Sequence, residues 1–142
     1  MKPMPGAPDF ANAVRKIVLE LHKSLMDAQR ARYEKVHGRI SNSSEFLGLL
    51  LEHPQFAWLR SMSALIARLD EWQEGGAEAS EEELSAIIAA FRELIEANGR
   101  HPTFTAPYWE LVNETPEALV SHVKLWRLIE SRTAPGGAQP AA

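Results

Sequence analysis

Cysteine is missing altogether from the 142 residues. Its absence excludes a disulfide framework, a thiol nucleophile, a cysteine-ligated zinc site and an iron–sulfur cluster within the chain. Also missing is any apolar run near the ~18–20 residues that a membrane-spanning helix needs. The opening stretch, with Pro3, Pro5, Gly6 and Pro8, lacks the apolar segment of a signal peptide. A soluble, cytoplasmic protein with no membrane partner is therefore expected. Basic residues are in deficit, 15 against 19 acidic ones, for a formal net charge of −4. Such a surface repels polyphosphate, so no nucleic-acid partner is expected. There is no nucleophile elbow, phosphate loop, glycine fingerprint or His-Glu-x-x-His, and the expectation leans away from an enzyme.

What the chain does have is helical periodicity. No stretch alternates apolar and polar residues with β-branched enrichment, so no strand is predicted. A long first helix is predicted over 9–37, capped by Asp9 and stopped by Gly38. Its stripe is Phe10, Val14, Ile17, Val18, Leu21, Leu25 and Ala28, spaced by steps that fall on one face. Asn42 and Glu45 form a capping-box variant before a short helix apolar nearly all round, which predicts burial on more than one side. Pro54 opens a third helix whose stripe is Trp58, Met62, Leu65, Leu69 and Trp72, with Leu65 at its centre. Ser80 and Glu83 cap a fourth, which carries Leu84, Ile87, Ile88, Phe91, Leu94 and Ile95 to a stop at Asn98-Gly99. A short helix is predicted over 107–113. A last one follows Thr115-Pro116 with the stripe Leu119, His122, Val123, Trp126 and Ile129.

The expected class is all-α, an antiparallel bundle of about four long helices with two short connecting ones. One domain is expected over 9–132, between tails at 1–8 and 133–142 too rich in proline, glycine and alanine to pack.

Several residues invite a chemical reading. Glu34 and His37 have the Glu-x-x-His spacing that puts both side chains on one helix face, as metal-binding bundles use it. The chain holds no second copy, and His37 also suits a helix C-terminus. His22 and His122 lie on or beside stripes of two long helices. They could ligate a metal or haem across a bundle, or simply be satisfied histidines at the edge of the core. Ser61, Ser63 and Ser121 have no evident base. Phe104, Tyr108 and Trp109 sit in a proline-bounded connection, so this aromatic surface is expected either to close the bundle or to meet a partner. The basic residues of the first helix and the acidic run from Asp70 to Glu83 are usually solvated faces, but their segregation could also orient a contact.

Two segments, LHKSLMDAQRARYEKVHGRI and EHPQFAWLRSMSALIARLDEW, resemble a family of small bacterial all-helical proteins to which no function is attached. The resemblance implies a bacterial origin and carries over no site residue. The functional expectation is a protein-interaction or regulatory module, partnered by a second copy of itself (a homodimer) or by another protein. The alternative is a metal- or haem-binding bundle using the histidines. No cofactor is expected under the first reading.

Overall fold

The computed structural model describes residues 6–97 and 101–133, and all the regular structure among them is helical. Most of both expected tails lies outside the described residues, as does the expected stop at Asn98-Gly99.

Helix α1 spans Ala7–His37. Its N-cap is Gly6 rather than Asp9. Pro8 explains the shift: its φ is already helical and its missing N–H needs no cap. Asp9 instead lies in the first turn, where a carboxylate favours the dipole. Phe10, Val14, Val18, Leu21 and Leu25 are buried as expected, but the next buried position is Gln29, not Ala28. Gly38 ends the helix at a φ of 90°, where a side chain would be strained.

Helix α2, Ser43–Glu52, is capped by Asn42, whose Oδ1 accepts the Glu45 N–H at 2.8 Å. The Glu45 carboxylate reaches back to the Ser41 N–H instead of closing a box on Asn42. The expected burial on several sides is not found. No residue of α2 is fully buried; Phe46, Leu49 and Leu50 are partly covered, while Leu47 and Leu51 are 56% and 54% exposed. The helix packs chiefly on the next short one, so only its inner face is covered.

The helix expected from Pro54 is broken in two. Helix α3, Pro54–Ala57, is capped by His53, whose Nδ1 accepts the Gln55 N–H at 3.1 Å. Helix α4, Arg60–Glu74, buries Met62, Leu69 and Trp72, whereas Leu65 is only partly covered. The Leu59 N–H bonds to the Phe56 carbonyl, a tighter turn that redirects the chain between the two. Helix α5, Glu81–Ile95, opens on Ser80, whose Oγ accepts the Glu83 N–H at 3.0 Å, and buries all six expected residues.

Helix α6 runs over Pro102–Glu114, straight through Pro107. An interior proline costs about 3 kcal/mol, but a fully buried aromatic or aliphatic side chain returns roughly 1.5–3 kcal/mol. Phe104 and Tyr108, one turn apart, are both buried and together offset the proline. Helix α7, Pro116–Thr133, is turned from its expected face. Ala118, Ser121, His122, Leu125 and Ile129 are buried, while Leu119 and Val123 face outward.

Helix α1 packs against α3, α4, α5, α6 and α7. It runs opposite to α7: the Arg132 guanidinium lies 4.9 Å over the Phe10 ring at one end, and Thr115 and Glu117 lie beside Lys23 and Asp27 at the other. Four of the six lysines and arginines of α1 have ion-pair partners among the described residues. Arg15 meets Asp70, Lys23 meets Asp27, Arg30 meets Glu34, and Arg32 meets Glu110 and Glu114. These exposed and partly exposed pairs are individually weak, and they answer four of the charges that could have oriented a partner.

Candidate functional site

Glu34 and His37 do not converge on a shared ligand position. Glu34 Oε2 accepts the Ile40 N–H at 2.9 Å and the Arg30 Nε–H at 3.3 Å. The Ile40 N–H first, and Arg30 second, hold its carboxyl below the usual range. The His37 ring stacks 4.4 Å from Tyr33 and meets His53 edge-on at 5.9 Å. Among the described residues, no three His, Asp or Glu side chains gather as a metal site would require.

His22 and His122 do not pair across the molecule, and each has its own hydroxyl partner. His22 Nε2 lies 2.9 Å from Ser63 Oγ, between α1 and α4. Ser63 therefore does have a base beside it, which the sequence did not reveal. Its Oγ also lies 3.3 Å from the Leu59 carbonyl, the ordinary back-bond of a helical serine. His122 Nδ1 lies 2.7 Å from the Tyr108 hydroxyl, between α6 and α7.

Phe104 and Tyr108, expected either to close the bundle or to meet a partner, are 1% and 0% exposed. Their rings stack at 5.3 Å, and Trp58 meets Phe104 edge-on at 5.2 Å. They belong to the chain's own core, because the helix extends upstream of Pro107 and turns both rings inward. Of the three, only Trp109 is partly exposed.

Trp109 borders a concavity between α5, α6 and α7. A cleft of about 330 Å³ is lined by Ile95, Glu96, Ala97, Trp109, His122 and Trp126. The last residue of α5 and the two residues that follow it supply the first three, α6 the fourth and α7 the last two. The His122 ring stands 4.6 Å from Trp109, edge to face, and 6.4 Å from Trp126, nearly parallel. Burial pushes the Tyr108 hydroxyl far above its ordinary pKa, so it keeps its proton in the hydrogen bond with His122 Nδ1. Burial also lowers the pKa of His122, which is therefore neutral near pH 7. That Nε2 has no hydrogen-bond partner among the described residues, yet it is not sealed from solvent. Trp109 Nε1 is sealed and has no acceptor.

No family model, curated protein or solved structure matches the chain. The resemblance of the 18–72 stretch to bacterial helical proteins thus acquires no matched relative, and no residue role comes to this chain from outside. Among the described residues, no helix is long and apolar enough to cross a membrane.

The cleft was only partly visible in the sequence. His122 and Trp126 share a helix face, but Tyr108 lies 14 residues from His122 on another helix. No local spacing announces such a pair.

Proposed function

We propose that the chain is a helical bundle serving as a protein-interaction module, and that it pairs with a second copy of itself through the outer face of α2. The observation that carries this reading is the exposure of Leu47 and Leu51, one turn apart on a helix that buries no residue fully. Gly48 lies between them and presents no side chain, so another backbone can approach closely. Both are already nearly half covered, so burying the rest of each gains about half of the ~1.5–3 kcal/mol of a whole leucine, and a two-fold contact buries both leucines of both copies.

A second copy is favoured by the charges at the two ends of the helix. Glu45 stands at its start, and Arg60 Nη1 donates to the Leu51 carbonyl, 2.6 Å away, at its end. An antiparallel two-fold pairing sets Glu45 of each copy beside Arg60 of the other, at both ends at once. Sedimentation at micromolar concentration is expected to give a dimer. Leu47→Glu with Leu51→Glu is expected to give a monomer of unchanged helicity. A wild-type chain that sediments as a monomer across that range, or a double variant that still dimerises, overturns the reading.

A further inference from the structure

We infer that the groove between α1, α3 and α6 binds an extended, proline-rich peptide segment carrying a basic residue, with a peptide carbonyl of that segment accepting a hydrogen bond from the Gln29 side-chain amide. This goes beyond self-association and rests on a different part of the molecule.

The groove encloses about 350 Å³. It takes Gln29 and Arg32 from α1, Pro54 from α3, Trp58 from the break that follows, and Pro107 and Glu110 from α6. Of the polar side chains among these, only Gln29 is buried, at 5% exposed. The Trp58 indole N–H can only donate, and it bonds to Gln29 Oε1 at 3.1 Å. The amide oxygen therefore faces Trp58, and the NH2 group faces away from it. That Nε2 has no hydrogen-bond partner among the described residues and is not sealed from the surface. An amide does not titrate, so the donor stands there whatever the pH.

A buried donor without an acceptor is costly, and a peptide carbonyl laid against it removes the cost. Beside the donor stand the rings of Pro54 and Pro107 and the partly exposed Trp58 indole. A peptide bond to proline suits this surface. Its carbonyl accepts, it brings no N–H that needs an acceptor, and its pyrrolidine ring packs on the indole and the two prolines. Proline-rich segments are also extended before they bind, so little ordering entropy opposes docking.

Charge decides what accompanies the prolines. Arg32 Nη1 lies 3.4 Å from Glu110, and its Nη2 meets Glu114, so two carboxylates share one guanidinium. Among the described residues, no other charged side chain lines the groove. The balance at its mouth is therefore negative. Glu110 has the longer of the two contacts and a side chain 63% exposed, so it can turn toward an incoming cation. An acidic segment would meet repulsion there, whereas an arginine beside the prolines is matched.

Three acetylated and amidated peptides, titrated separately into the isotope-labelled full chain and followed by NMR, test the inference. They are four prolines followed by arginine, four prolines followed by glutamate, and four alanines followed by arginine. The proline–arginine peptide is expected to saturate and to shift the Gln29 side-chain NH2 and Trp58 indole resonances. The glutamate peptide should bind at least threefold more weakly, and the alanine peptide about tenfold more weakly. Gln29→Met keeps the length of the side chain but has no N–H to donate, and should weaken the proline–arginine peptide about tenfold. Glu110→Gln, at an exposed position, should weaken it about threefold. The inference is overturned if that peptide fails to saturate at millimolar concentration or shifts resonances elsewhere. It is equally overturned if either control peptide binds as well, or if folded Gln29→Met binds as the wild type does. Should Gln29→Met not fold, an unchanged affinity in Glu110→Gln overturns it instead.

Discussion

Gln29 holds a position that the periodicity of α1 would give to an apolar residue. It is 5% exposed, and its Oε1 accepts the Trp58 indole N–H at 3.1 Å. One hydrogen bond thus fixes α1 against the break between α3 and α4. Trp58→Phe keeps the ring but strands a buried acceptor, so it is expected to cost about 1–3 kcal/mol in urea denaturation. Adding Gln29→Leu should return much of that loss, because an apolar side chain needs no partner; a double variant no more stable than Trp58→Phe would show that the bond is not the cause. Along α4 the same reasoning separates two leucines of equal size. Leu69 is fully buried, and Leu69→Ala is expected to cost about 2–5 kcal/mol. Leu65, the centre of the stripe by sequence, is only partly covered, so Leu65→Ala should cost clearly less. Equal shifts of the denaturation midpoint would contradict that ranking.

At the scale of the element, what could be read in advance was what is decided locally. Asn42 and Ser80 cap the helices they were expected to cap, because a cap needs only a side chain and an N–H three residues on. Faces and lengths decided by distant neighbours were not legible. Helix α7 carries two apolar faces that share His122 and Ile129, and periodicity does not choose between them. The face that packs inward includes the small residues Ala118 and Ser121, and α1 likewise buries Ala7 and Ala11; small residues let two helices approach closely. Helix α6 was cut at Pro107 because the gain from burying Phe104 and Tyr108 is a tertiary matter. The cleft was obscured for the same reason, since three helices build it. Helix α2 permits a direct test at this scale. A Cβ added at Gly48 meets nothing within 4 Å, and the backbone there has no positive φ. In the Leu47→Glu, Leu51→Glu background, where no second copy packs on α2, Gly48→Ala is therefore expected to stabilise by about 0.5–1 kcal/mol. Gly38→Ala, at a φ of 90°, should instead lower the melting temperature. A Gly48→Ala substitution that leaves the melting temperature of that background unchanged would mean that α2 contributes little to the cooperative unit.

For the whole molecule, the ion pairs between helices are partly exposed and individually weak, so the pH response near neutrality falls to the histidines. His22 and His122 both have pKa values below the ordinary 6.5, each because burial disfavours the charged ring. In the unfolded chain both return to 6.5. As pH falls through that value, the unfolded state takes up protons that the folded state does not yet accept, and stability declines. The decline continues to the lowered folded values and levels off below them; above 6.5 both states are neutral and the full stability is present. The denaturant midpoint is therefore expected to drop as pH is lowered below 6.5, before the carboxylates titrate near about 4. Replacing both histidines with asparagine, which cannot take up a proton, should flatten that part of the profile. A wild-type midpoint that holds constant from neutrality down to the carboxylate range would mean that neither imidazole is as enclosed as its contacts with Ser63 and Tyr108 place it.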